Sequence, residues 1–241
     1  MFNASFPPRL LRAAFLVGAL FFTLLTHARA TPPSGDNAQP PIVTGIGRVV
    51  DGDTLDVGAT RVRLEGIDAP EIAQTCQDAN GASWNCGVAA AKMLRTLAEH
   101  KDLACDRSGI DRYHRILATC FGDDGIDIDE AMVRAGLAWA YVKYSVAYVG
   151  VEAEARKAKI GVWQGAAEAP WDFRHNEWQV AEAAAPKGCA IKGNVSARGR
   201  IYHMPWDPWY ESVSMDLAKG KRWFCSEADA VAAGWRRASS N

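Results

Sequence analysis

Two things are scarce in this chain of 241 residues. No apolar run approaches the roughly 20 residues a helix needs to cross a bilayer. The apolar stretch near the N-terminus, Ala13–Leu25, is interrupted by only Gly18 and Thr23 but is too short to span comfortably. Nor is either charge in excess, with 27 Lys and Arg against 28 Asp and Glu. The first absence excludes a helical multi-pass membrane protein. The second excludes a chain that coats polyanions through a broad basic surface. What is present is core material: 49% hydrophobic residues, 23% charged, and nine Trp. Such a composition describes neither a disordered nor a collagen-like chain.

The first thirty residues read as a secretory signal peptide. Arg9 and Arg12 precede the apolar stretch, and Ala28-Arg29-Ala30 supplies an A-x-A end, with cleavage after Ala30. No Cys follows closely enough to suggest a lipid anchor. Removal of residues 1–30 takes away three Arg and no acid, leaving 24 basic against 28 acidic side chains. The expected compartment is therefore extracellular or periplasmic, with no membrane span after cleavage and a monomeric mature chain. All six Cys stay in the mature part, and an even number in an exported protein reads as disulfides. Six Cys allow 15 connectivities. Their order suggests local pairs, Cys76–Cys86, Cys105–Cys120 and Cys189–Cys225.

Residues 31–42 are rich in Pro and small polar side chains, an extended linker. Beyond them the runs VTGIGRVV and TLDV are broken by Asp51-Gly52-Asp53, and RVRLEGI alternates Val62 and Leu64 with Arg61, Arg63 and Glu65. That alternation is a strand with one buried and one wet face. Val88–His100 has helical spacing, with Val88, Ala91, Leu94 and Leu97 on one side. DLAC and RILATCF are strand-like runs around a polar connection, Asp106–His114. Asp127 and Asp129 open a helix ending near Gly136, and another helix covers about Val151–Lys159. Strands with interposed helices make an α+β pattern that suits a small barrel. Residues 166–188 read as a linker whose patch Pro170-Trp171-Asp172-Phe173-Arg174 docks back on the barrel. Residues 189–241 form a distinct module carrying eight basic and five acidic side chains, whereas residues 43–165 carry 14 and 18.

Three segments hold charges that a core would not accept: Val50–Thr54 (VDGDT), Arg63–Glu71 (RLEGIDAPE) and Asp111–Arg115 (DRYHR). Carboxylates at turns beside strand ends can converge as hard oxygen ligands, which suit Ca²⁺ or Mg²⁺ better than Zn²⁺. Arg63 can aim a planar fork of donors at a phosphate. On residue types alone, solvated surface charge is the commoner account.

Together, in this order, the segments resemble the thermonuclease (staphylococcal-nuclease-like) family. Its motifs read D-G-D-T, then R-x-x-x-x-D-x-P-E, then D-x-Y-x-R. The likeness runs from about Val43 to Gly165 and takes in DEAMVRAGLA (Asp129–Ala138) and Gly161-Val162-Trp163. It implies an OB-fold, a five-stranded β-barrel with packed helices. It further implies that Asp53, Asp68 and the main-chain carbonyl of Ala69 hold Ca²⁺, that Glu71 activates or orients water, and that Arg63 and Arg115 clamp the phosphate. Asp51 orients the turn, while Tyr113 and Tyr141 line a nucleotide pocket or pack in the core. The family often has Gly where His114 stands, and its best-known member has a Lys-rich loop where this chain has Cys76–Cys86.

The C-terminal segments around Cys189, Ile201–Pro205 and Trp223–Ala228 resemble a small accessory domain of exported bacterial nucleases. Cys189, His203 and Cys225 can be read as zinc ligands, or the two Cys as a disulfide. The functional expectation is a secreted Ca²⁺-dependent endonuclease acting on DNA and RNA with low sequence specificity. A non-catalytic nucleic-acid-binding OB module and an envelope- or exopolysaccharide-associated protein are the alternatives.

Overall fold

A computed structural model describes residues 42–111, 113 and 115–238. The expected leader, most of the first linker and His114 lie outside the described residues. Five strands close into a barrel: β1 (Ile42–Val49), β2 (Thr54–Val57), β3 (Thr60–Leu64), β4 (Asp102–Ile110) and β5 (Ile116–Phe121), in the order β1-β2-β3-β5-β4. The β3/β5 pair is parallel and the others are antiparallel. Val62 and Leu64 point into the barrel while Arg61 and Arg63 point away, as the alternation requires. The core also holds Val49, Leu55, Leu94 and Met132. Each fully buried side chain of this kind stabilises the fold by about 1.5–3 kcal/mol.

Helix α1 (Cys86–Ala98) follows a small two-stranded ladder of Cys76–Gln77 with Ser83–Trp84. Its buried stripe is Ala90, Ala91, Leu94 and Ala98, and the expected Val88 is 47% exposed. The reason is close packing: a Cβ on Gly47 would stand 2.2 Å from the Ala98 carbonyl oxygen, so the helix docks through small residues. Helix α2 (Ile128–Arg134) is capped by Asp127, whose carboxylate accepts from the Glu130 N–H (2.9 Å). Helix α3 (Val149–Ala158) packs beside α2. The strand after α1 runs on to Ile110, well into the connection expected to be polar loop.

The expected linker contains a 15-residue helix, α4 (Pro170–Ala184). It opens with Pro at its first position and then runs fourteen residues without Gly or Pro. After it, β6 (Ile191–Ser196), β7 (Gly199–His203), β8 (Arg222–Phe224) and β9 (Arg236–Arg237) form a second sheet in the order β8-β6-β7-β9, with α5 (Glu227–Ala232) beside it. Ile191, Tyr202, Met204, Phe224 and Trp235 make its small core. The three disulfides are Cys76–Cys86, Cys105–Cys120 and Cys189–Cys225. The last engages both sulfurs that zinc would need, which removes the zinc reading. Among the described residues no helix is long and apolar enough to cross a membrane.

Candidate active site

The site begins with a turn. The Val50 and Asp51 N–H groups donate to the Thr54 carbonyl, and the Asp53 N–H donates to the Asp51 carboxylate (3.2 Å). Asp51 thus orders the turn that presents Asp53. A Cβ at Gly52 would lie 2.7 Å from the Ala69 Cβ, so only glycine lets the turn approach the segment carrying Asp68. The Ala69 N–H donates to Asp53 Oδ2 (2.9 Å), which ties the two motifs together.

Arg63, opposite Thr54 in the β2/β3 register, extends its fork between both carboxylates. One terminal nitrogen pairs with Asp53 and the other lies 2.9 Å from Asp68 Oδ1. Asp68 is fully buried, so without these cations its charge would cost several kcal/mol. Burial lowers the Arg63 pKa, with Asp68 opposing the shift.

Glu71 sits on the next loop, held at both ends. Its N–H donates to Gln74 Oε1 (3.2 Å), its carbonyl accepts from the Gln74 N–H (2.8 Å), and the Cys76–Cys86 bridge closes the loop onto α1. Burial pushes the Glu71 carboxyl above the usual carboxylate range, against the pull of Arg174 and Arg237. On the far wall, Asp111 holds Arg115 through its backbone N–H (2.9 Å) and its Nε (2.6 Å), and accepts from the Tyr113 N–H (2.8 Å). The Arg115 guanidinium lies 5.4 Å from the Tyr113 ring centre. Tyr141 stacks on Trp171, with ring centres 5.4 Å apart.

One cleft of about 370 Å³ is lined by Asp51, Asp53, Arg63, Glu71, Arg115 and Tyr113, with Tyr141 and Arg174 beside them. Asp68 lies behind this wall and Ala69 is buried next to it. The residues singled out from the three motifs therefore meet in one place. Others come from outside the motifs, among them Arg174, Trp206, Glu227 and Arg237. Arg174, from α4, donates to both oxygens of Asp68 (3.1 and 2.7 Å) and to Glu71 Oε1 (2.9 Å). Trp206, Glu227 and Arg237, from the C-terminal sheet, line the same cleft. Arg174 belongs to the patch expected to dock on the barrel, although that patch was not expected to be helical. No local signal marks the other three.

A sequence model of the staphylococcal nuclease homologue family matches residues 61–165. A succinoglycan biosynthesis protein, ExoI, of Rhizobium meliloti is 34% identical over 155 residues, covering 63% of this chain and 77% of that protein. The chain belongs to the staphylococcal nuclease homologue family. An Escherichia coli protein named "Uncharacterized endonuclease" is 36% identical over 137 residues, covering 54% of this chain and 83% of its own. The micrococcal nuclease of Shigella flexneri is 32% identical over 144 residues, covering 53% and 77%. A second family model, ArfC, matches residues 178–237, so the C-terminal sheet has relatives of its own.

The family implies calcium. Among the described residues no group of three or more His, Cys, Asp or Glu side chains is disposed to hold an ion. As placed, guanidiniums satisfy both oxygens of Asp68. The donor chemistry nonetheless fits a hard divalent cation: it is all oxygen, deeply buried, and already organised around positive charge.

Proposed function

We propose that this protein is a secreted, Ca²⁺-dependent nuclease that hydrolyses phosphodiester bonds in DNA and RNA with little sequence preference. The observation that carries the reading is the Arg63 fork joining Asp53 to Asp68 at a cleft that also presents Glu71 and Arg115.

Phosphodiester hydrolysis requires water aligned with the leaving oxygen and compensation for charge that grows on the phosphoryl oxygens. Arg63 and Arg115, rigidly held by carboxylates, are the donors for those oxygens. Glu71 orients the water and takes its proton, and its raised pKa brings it closer to a working base. Asp53, Asp68 and the Ala69 carbonyl would hold calcium, which when bound supplies a positive charge against the phosphate. Tyr113 and Tyr141 offer ring faces to the bases along the cleft. Three disulfides suit an oxidising compartment, in keeping with the leader.

Purified mature protein incubated with plasmid DNA or RNA, with Ca²⁺ or with chelator, tests this. Metal-dependent cleavage is expected. Retardation without cleavage would make it a binding module. No effect on either polymer would favour the envelope- or exopolysaccharide-associated alternative, in line with the Rhizobium relative named as a succinoglycan biosynthesis protein. Recovery from culture fluid or periplasm of a chain beginning at Thr31 is the expected result for export.

A further inference from the structure

Arg174 belongs to neither matched segment: the nuclease match ends at residue 165 and the ArfC match begins at 178. Yet it makes the densest set of contacts to the carboxylates. Its two terminal nitrogens grip both oxygens of Asp68, and one of them also reaches Glu71. The helix that delivers it is fixed at its start. Gln74 Nε2 donates to the Glu168 carbonyl (2.7 Å), and Trp171 stacks on Tyr141 one turn before Arg174. Burial works against the Arg174 charge, but Asp68 and Glu71 outweigh it and leave its pKa above the ordinary value.

The arrangement answers a physical need of the buried carboxylates. Asp53 and Asp68 are buried and Glu71 is nearly so, and of these three carboxylates Arg63 reaches only the two aspartates. A second guanidinium repairs this, and it does so with the oxygens a cation would need. Asp68 Oδ1 accepts from Arg63 and Arg174, and Oδ2 from Arg174. We propose that Arg174 is the resident cation of the carboxylate site, and that a divalent metal binds by displacing it. This inference rests on the proposed Ca²⁺ dependence. Metal and guanidinium compete for the Asp68 oxygens, so the apparent metal affinity is reduced by the fraction of molecules in which Arg174 is seated. Release of Asp68 and Glu71 also frees Glu71 from a partner that stabilises its ionised form. The exchange is a linkage between α4 and the barrel.

The test is calorimetric titration of Ca²⁺ alone into the intact, disulfide-bonded protein, comparing wild type with Arg174→Gln, Arg174→Lys and Asp68→Asn. Arg174→Gln is expected to tighten Ca²⁺ binding by about tenfold or more, the shift produced when about nine-tenths of the wild-type population is blocked. Arg174→Lys, which keeps the charge but loses the fork, falls between. Asp68→Asn abolishes binding. Free guanidinium ion at millimolar concentration should weaken Ca²⁺ binding to Arg174→Gln and leave wild type little changed, a response that a merely structural arginine would not produce. Equal affinity in wild type and Arg174→Gln, or weaker affinity in the variant, overturns the exchange while leaving the metal dependence intact. Failure of wild type and both Arg174 variants to bind Ca²⁺ overturns the metal dependence and the exchange with it. Should Arg174→Gln not fold, Arg174→Lys against wild type decides the same question.

Discussion

The barrel and the C-terminal sheet each bury a cluster of charges at the same cleft, and the clusters are assembled in different ways. In the C-terminal sheet Arg237 pairs with Asp207 (3.2 Å) and approaches Glu227 (3.6 Å), and Glu227 accepts from the Tyr202 hydroxyl (2.6 Å). Asp207 also accepts from the Met204 N–H (2.8 Å). All of its hydrogen-bonding and ion-pairing partners lie between residues 202 and 237, although Arg237 also attracts Glu71 across the cleft. The barrel cluster has three carboxylates and satisfies them partly with Arg174, which is 106 residues beyond Asp68. Charge compensation therefore does not mark a catalytic site by itself.

Five substitutions sharpen or break this contrast. The largest effect is expected for Glu71→Gln. Loss of a positioned base costs about 10²–10⁴-fold in turnover, measured as kcat on DNA across pH. Wild-type activity should rise with pH through the raised Glu71 pKa, and the variant should lack that limb. Stability should behave oppositely. The folded-state pKa lies above the unfolded value, so ionising Glu71 weakens the wild-type fold as pH rises from about 4.5. The variant is spared that loss, which thermal melts at acid and neutral pH will show.

Next comes Arg63→Ala, with about 10²–10³ lost from kcat. Removing it also leaves buried carboxylates short of a partner, a destabilisation of about 3–5 kcal/mol by denaturant titration. Arg115→Ala should lose comparable activity with little change in stability, since Asp111 is only partly buried. Arg237→Ala should invert that pattern, destabilising the protein through Asp207 and Glu227 while raising KM more than it lowers kcat. A collapse of kcat with unchanged stability would mean that Arg237 belongs to the chemistry and that the two clusters are one. The smallest effect is expected for Trp206→Ala. If its ring stacks on a base, KM rises by the equivalent of about 1–3 kcal/mol. An unchanged KM would confine the C-terminal sheet to packing.

Much of the barrel is legible in the sequence because short-range rules govern it. The alternation of Val62 and Leu64 with arginines fixes which strand face is wet, and Asp127 announces α2 through its cap. The Cys order matches the pairing, since Cys105 and Cys120 stand directly opposite in neighbouring strands. The buried face of α1 departs from its hydropathy pattern by a position or two. Ala-rich helices bury small residues wherever the backbone approaches most closely, and hydropathy does not register that. Residues 166–188 read as a linker because α4 is only weakly amphipathic. Its stability comes from contacts with the barrel and, through Trp178 and Ala181, with the C-terminal sheet, which a local window does not contain.

The sequence by itself determined the barrel's strand pattern and the three charged motifs, and the order of its Cys suggested the disulfide partners. All of these depend on neighbours within a few residues or on the order of like residues along the chain. Tertiary structure alone decided that Arg174, Trp206, Glu227 and Arg237 share the motifs' cleft. Contacts across a hundred residues are selected by how whole elements pack, and a surface arginine looks the same in sequence whether it meets water or a buried carboxylate.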